Sequence, residues 1–72
     1  IRPVDRLQHD VLNRLTERQR TVLDTAFHAG FFDWPRNASG EDVAASLDIA
    51  APTFHQHLRK AQRKVVGSLV SD

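Results

Sequence analysis

The chain has 72 residues, of which 40% are hydrophobic and none is cysteine, and its formal net charge is +1. A chain of this length forms one small domain, and without cysteine it has neither a disulfide nor a thiolate metal site. No apolar run approaches the roughly 18 to 20 residues of a membrane span, and there is no signal peptide, so we expect a cytoplasmic protein that does not enter a membrane.

The first predicted element is a helix over roughly residues 5–14, because apolar residues recur there at helical spacing. These residues are Val4, Leu7, Val11 and Leu15. The chain begins with Ile rather than Met, so we expect it to be part of a longer protein. Residues 1–15 are therefore interpreted as a linker helix that follows an upstream domain, and residues 16–70 as the folded domain itself.

The second predicted helix runs over roughly residues 17–29. Thr16 and Gln19 have the spacing of a capping box, in which each side chain bonds the backbone amide of the other residue. Gly30 is the expected stop, since glycine commonly takes the left-handed conformation that ends a helix. One face of this helix is predicted to be buried, and it consists of Val22, Leu23, Ala26 and Phe27.

The segment "FFDWPR", residues 31–36, is predicted to be an apolar loop. Three aromatic residues precede Pro35, which cannot continue a helix. We expect Phe31, Phe32 and Trp34 to fold back as a lid over the small core, with Phe31 or Phe32 at least partly exposed. The alternative is that the three rings form a docking surface for a partner protein.

Two further helices complete an all-α prediction. The third covers roughly 40–47, with Ser39 as its N-cap and Asp42 three residues later. A turn at residues 48–50 leads to the last helix, which has Pro52 in its first turn. The residues predicted to form its buried stripe are Phe54, Leu58, Ala61, Val65 and Leu69.

The last helix has an outer face that carries cations and no acid. Gln56, Arg59, Lys60 and Arg63 centre opposite the apolar stripe, and no Asp or Glu occurs from Ile49 to Ser71. A solvated helix also places charged residues opposite its core, and the helix dipole favours cations near the C-terminus. Neither explanation accounts for the missing acids, whereas a polyanion such as DNA would select such a face. A short helix, a turn and a second helix with polar residues near its start also make a helix-turn-helix layout.

Residues 15–65 closely resemble the bacterioopsin-activator (Bat) type helix-turn-helix domain of archaeal, chiefly haloarchaeal, transcription regulators. The matching motifs are "LTERQ", "GFFDWPR" and "PTFHQHLR". The resemblance implies a tetrahelical, LuxR-like or sigma-region-4-like bundle that binds double-stranded DNA, with a recognition helix at about 51–66. It further implies an upstream sensor domain. Two residues depart from the family pattern, because Ala50 stands at a usual Ser N-cap and Asp48 at a turn position that often carries Gly.

Carried over residue by residue, the resemblance assigns roles to the outer face of the last helix. Base-facing candidates are Thr53, His55, Gln56 and Arg59, since Gln can pair with adenine and Arg with guanine through two hydrogen bonds. Phosphate contacts are expected from a second set of residues, which consists of Lys60, Arg63, Lys64, Arg18 and Arg20.

Other functions are disfavoured or left open. His55 and His57 point about 200° apart on a helix and cannot bind one metal ion, and no nucleophile lies beside a base, so neither a metal, a cofactor nor an enzyme is predicted. The main alternative is a protein-interaction or dimerisation module that contacts the transcription machinery or a second subunit through the aromatic loop and the C-terminal Val66 and Val70. The two valines form an apolar patch suited to a dimer only if the last helix continues through Gly67, which the sequence leaves undecided.

Overall fold

The computed structural model describes the backbone of residues 3–70 and the side chains of residues 8–70. Within that range the chain folds into four α-helices and contains no strand. The helices are α1 (Pro3–Asn13), α2 (Glu17–Ala29), α3 (Gly40–Ser46) and α4 (Ala51–Val70). The all-α, four-helix prediction is therefore confirmed, although the predicted apolar side chains Val4 and Leu7 lie outside the described residues.

The boundaries of α2 follow from its caps. The Thr16 hydroxyl accepts a hydrogen bond from the Gln19 amide, and the Thr16 amide donates to Oε1 of Gln19, both at 3.1 Å. At the other end Gly30 has φ 88°, and its amide and that of Phe31 bond back to the last turn of the helix. Both predicted caps are confirmed, because each satisfies backbone groups that the helix leaves without partners.

A second capping box begins α3. The hydroxyl of Ser39 accepts from the Asp42 amide, and the Ser39 amide donates to Oδ2 of Asp42, both at 3.1 Å. The hydrogen bond from the Ser39 backbone, followed by that from its side chain, holds the pKa of Asp42 below its usual value. Ser39 is thus the predicted N-cap, and α3 starts at the residue where the sequence placed it.

The core lies where α4 packs against α2 and α3. Its central side chain is Phe54, which is fully buried and meets the edge of the Phe31 ring at a centroid distance of 5.6 Å. Burial of one such side chain stabilises the fold by about 1.5–3 kcal/mol. The buried cluster consists of Val22, Ala26, Phe31, Val43, Ala44, Phe54 and Leu58.

The helix α1 contacts the C-terminal half of α4. Val11 and Leu15 are buried, and Nη1 of Arg14 donates to the Ser68 hydroxyl at 3.2 Å. The residues around α1 are therefore joined to the bundle by packing and by a hydrogen bond. The division of the chain into a linker helix at 1–15 and a domain at 16–70 stays a prediction.

Three predicted core side chains are exposed instead. Phe27 is 62% exposed and Leu69 60%, so both assignments to a buried face were wrong. Trp34 is 98% exposed, so it does not belong to the predicted lid, whereas Phe31 is buried and Phe32 is 42% exposed as expected. The helix lengths explain the exposure of Leu69, which lies near the end of α4. The 20 residues of α4 span about 30 Å and the 13 residues of α2 only about 20 Å, so α2 cannot cover the whole of α4.

Candidate nucleic-acid interface

A sharp turn between α3 and α4 sets the direction of the predicted recognition helix. Asp48 adopts the left-handed conformation, with φ 58°. Its amide donates to the Ala45 carbonyl at 3.1 Å, and the Ile49 amide donates to the Ala44 carbonyl at 3.0 Å. This bond pair is the Schellman arrangement, which usually has glycine at the left-handed position. Asp48 thus adopts the left-handed conformation for which the family often has Gly at this position.

The start of α4 lacks a side-chain cap. The Ala50 carbonyl accepts the first helical hydrogen bond, from the Phe54 amide at 3.0 Å, which places Ala50 at the N-cap position. Alanine has no oxygen that could accept from the free amides of the first turn. Pro52 lies in this first turn as predicted, where its missing amide costs no helical bond.

The two faces of α4 differ as the sequence predicted. Phe54, Leu58 and Ala61 are buried against the bundle and hold the helix in place. The residues on the opposite side are all exposed, and they are Gln56, Arg59, Lys60 and Arg63. A rigidly anchored helix therefore presents three cations and one amide to solvent.

The remaining candidates on α4 differ in accessibility. His55 is exposed, whereas Thr53 is half-buried, and so is His57, as expected. Lys64 is also half-buried, and its Nζ donates to Oε1 of Gln19 at 2.8 Å. Because Gln19 is itself buried, Lys64 has a structural contact besides any contact with a ligand.

The bond between Lys64 and Gln19 brings the start of α2 to the second half of α4. Arg18 and Arg20 flank Gln19 in the chain, and both are exposed. The cations predicted on α2 and those near Arg63 therefore lie at the same end of the bundle.

The imidazole of His55 lies against α3. Its ring centroid is 5.1 Å from that of Phe54 and 6.4 Å from that of Phe31. The backbone of Gly40 lies directly beneath the ring, so close that a Cβ atom there would be 2.6 Å from Cε1 of His55. No sequence pattern singles out Gly40, which is simply the residue after the helix cap Ser39.

A known domain family matches most of this structure. The family described as the helix-turn-helix DNA-binding domain matches residues 15–67, which include α2, α3 and most of α4. The chain belongs to this family. Within this family of DNA-binding domains, α3, the turn and α4 form the helix-turn-helix, and α4 is its recognition helix. The family is not a class of enzymes.

Three haloarchaeal proteins are similar to the chain over most of its length. The "Bacterioopsin transcriptional activator" of Halobacterium salinarum is 43% identical over 65 residues, which make up 90% of this chain and 10% of that protein. "Transcriptional regulator NarO" of Haloferax volcanii is 47% identical over 58 residues, which make up 81% of this chain and 28% of that protein. Another Haloferax volcanii protein is 46% identical over 66 residues, 92% of this chain and 11% of its own length.

These relatives identify the domain as a helix-turn-helix of the Bat type, and all three are much longer than this chain. The chain spans between about a tenth and about a quarter of the length of the three relatives. No solved structure matches the chain.

The C-terminal end of this Bat-type domain settles one open point. The helix α4 continues through Gly67 to Val70, and a Cβ on Gly67 would meet nothing within 4 Å. Val66 and Val70 are both exposed, one turn apart on the outer side of the helix. Of the two alternatives, the continuous helix with an apolar patch is confirmed.

Two kinds of feature are absent from the described part of the chain. Among residues 8–70, no three or more His, Cys, Asp or Glu side chains are grouped so that they could hold a metal ion. None of the four helices, over the residues that the structure describes, is long and apolar enough to cross a membrane.

Proposed function

We propose that this chain is the DNA-binding output domain of an archaeal transcription regulator and that it binds double-stranded DNA sequence-specifically. The observation that carries the proposal is the outer face of α4, which is exposed, cationic and free of acids. Exposed helices usually mix charges of both signs, because pairs of opposite charge three or four residues apart stabilise them. A face without acids forgoes such pairs and suits a polyanion.

The proposed reading residues lie in the first half of α4. A helix-turn-helix places the N-terminal part of its second helix in the major groove, where side chains reach base edges. Gln56 can form two hydrogen bonds with adenine, and Arg59 can do so with guanine. Thr53 lies at the edge of this surface. Each correct pair would contribute about 1–3 kcal/mol of discrimination between bases.

The proposed phosphate contacts come from both α4 and α2. Lys60 and Arg63 are exposed beside the reading residues, and Lys64 lies in the same turn as Arg63. Arg18 and Arg20 would contact the backbone from the start of α2. These contacts would supply affinity without sequence preference. The proposed mechanism is binding alone, with no enzymatic step and no cofactor.

Fluorescence anisotropy with a labelled mixed-sequence duplex would test the proposal. We expect wild-type binding to weaken steeply as salt rises, because each neutralised phosphate releases counterions. The variant Gln56→Ala/Arg59→Ala should bind more weakly than wild type. The matched control is Arg6→Ala/Gln8→Ala, which removes the same residue types from positions before the family match.

Two results would overturn the proposal. One is the absence of binding at low salt by a chain whose circular dichroism shows it to be folded. The other is an equal loss of affinity in the control variant, which would mean that the outer face of α4 has no special role. In the second case binding would depend on overall charge alone.

A second candidate function is protein interaction through the aromatic loop. Trp34 is 98% exposed on a loop that its own hydrogen bonds hold in shape. The Asn37 amide donates to the Gly30 carbonyl at 3.0 Å, and the Asn37 side chain donates to Oδ2 of Asp33 at 2.9 Å. An ordered loop that presents a large aromatic side chain to solvent suits a partner protein better than a core.

The single tryptophan makes this second function measurable. Trp34 emission should shift to shorter wavelength when a partner covers the ring, and acrylamide should then quench it less. We would titrate the chain with duplex DNA and, separately, with purified basal transcription proteins. A shift with proteins alone supports the interaction module, and no shift with either probe contradicts it.

The proposal extends to the whole protein in three respects. The much greater length of the relatives supports a sensor domain upstream of this chain. The exposed Val66 and Val70 support a homodimer, which would match a two-fold operator. A DNA target supports a cytoplasmic location. Sedimentation of wild type and of Val66→Asp would test the homodimer, which the charge should weaken.

A further inference from the structure

The imidazole of His55 occupies the space that a side chain at residue 40 would need. A Cβ built on Gly40 would lie 2.6 Å from Cε1 and 2.7 Å from Nε2 of His55. Gly40 does not have a positive φ, so no backbone conformation requires glycine there. The requirement is space, and the group that fills the space belongs to the recognition helix.

The His55 ring also lies close to two rings of the aromatic core. Phe54 and Phe31 lie within 5.1 Å and 6.4 Å of it, measured between ring centroids. Phe31 is in turn held by Arg36, whose guanidinium lies 4.3 Å from the ring centroid and whose Nε donates to the Phe31 carbonyl at 3.0 Å. The loop, the first turn of α3 and the first turn of α4 therefore meet at His55.

The position of this ring affects the reading surface directly. His55 and Arg59 are four residues apart on α4, so their side chains are neighbours on one side of the helix. The imidazole is turned toward Gly40 of α3. A ring forced off Gly40 would have to turn outward, toward solvent and Arg59.

We propose that His55 is a positioning residue of the DNA interface, whose imidazole docks on Gly40, fixes the first turn of α4 against α3 and keeps the surface around Arg59 clear. The inference rests on the proposed function, because it concerns how Gln56 and Arg59 are held for base recognition. It differs from a role for His55 as a base reader, which the sequence suggested.

The decisive variant is Gly40→Ala. Its new methyl group meets the far end of a side chain rather than backbone, so the ring can rotate away and the chain should still fold. Gly67→Ala is the matched control, because it adds the same methyl group within a helix where nothing lies within 4 Å. The probes are the duplex that wild type enriches most from a randomised pool and a shuffled duplex of the same composition.

We expect Gly40→Ala to lower the ratio of affinities for the selected and the shuffled duplex by about tenfold, comparable to the loss of one base contact. Binding to the shuffled duplex and its salt dependence should stay unchanged, since no phosphate contact is lost. A merely structural defect would lower both affinities together. In a His55→Ala background the Gly40→Ala change should have no further effect, because no ring remains to be displaced.

Two outcomes would overturn the inference. One is that Gly40→Ala discriminates between the duplexes as well as Gly67→Ala does. The other is that the effect of Gly40→Ala persists unchanged in the His55→Ala background. If wild type enriches no duplex, the proposed function fails first. The same pair of substitutions, followed by thermal unfolding and by amide chemical shifts of Gln56 and Arg59, then still decides whether His55 and Gly40 are coupled.

Discussion

Removing two exposed cations from α4 should change the salt dependence of DNA binding by a calculable amount. The proposed phosphate contacts number five, and each contributes about 0.9 to the slope of log affinity against log salt, so wild type should show a slope of roughly −4.5. Lys60→Gln/Arg63→Gln removes two contacts and should reduce the slope to roughly −2.7. Between 0.1 and 0.3 M salt, wild type should lose about 140-fold in affinity and the variant about 20-fold.

Anisotropy with the shuffled duplex at five or more salt concentrations would measure these slopes. Both side chains are exposed, so the substitutions should leave the unfolding midpoint nearly unchanged. Arg6→Gln serves as the control, because it removes one cation from a position that precedes the family match. The reasoning is refuted if the double variant keeps the wild-type slope, or if the control lowers the slope by a full contact.

Three further predictions concern the caps. Ala50→Ser should raise the free energy of unfolding by about 1 kcal/mol and the Tm by about 4–8 °C, whereas the same change at exposed Ala45 inside α3 should lower both. Gln19→Ala should lower the free energy of unfolding by about 1–3 kcal/mol in urea titrations, because it removes buried hydrogen bonds; a loss below about 0.5 kcal/mol would contradict this. Asp42 has a pKa lowered from 3.8 by its bonds to Ser39, so its stabilising effect is present above that value and lost as pH falls through the lower folded pKa. Wild type and Asp42→Asn should therefore differ in stability at neutral pH and converge in acid, and a constant difference would argue against the cap.

Sequence reasoning succeeded where the cause of structure is local. Thr16 with Gln19 and Ser39 with Asp42 are three residues apart, and each pair closes its hydrogen bonds within one helical turn. Gly30 ends α2 through its own backbone conformation. Such features depend on near neighbours in the chain, so they can be predicted before any tertiary contact is known.

It failed where the outcome depends on how far a neighbouring helix extends. The spacing of Leu69 places it on the apolar side of α4, but periodicity carries no information about the length of the helix packed opposite, and Leu69 is exposed near the end of α4. Phe27 is exposed for another reason, because it lies about 100° around α2 from buried Ala26, at the edge of the packed face. Trp34 was misplaced for a related reason, because Phe31 and Phe54 already fill the small core that a lid would cover.

The contact between His55 and Gly40 could not be predicted from the sequence. The two residues are 15 positions apart on different helices, and the contact exists because glycine has no side chain. A glycine after a helix cap has no distinctive pattern, and a histidine on a cationic helix suggests a ligand contact by type alone. Only the packing of α3 against α4 shows that the two residues occupy one space. The candidate site could thus be located from the sequence, whereas the support beneath it could not.

Arg63 and Lys64 show how one run of cations divides between fold and function. They are adjacent and equal in charge, yet Arg63 is exposed and Lys64 donates to buried Gln19 at 2.8 Å. A lysine ammonium has three donors, so Lys64 retains two for a phosphate after bonding Gln19. Gln19 also accepts from the Thr16 amide, and therefore the capping box of α2 and the cationic face of α4 share one acceptor. Neutralising Lys64 would remove the bond to Gln19 together with the proposed phosphate contact, whereas neutralising Arg63 would remove a proposed phosphate contact alone.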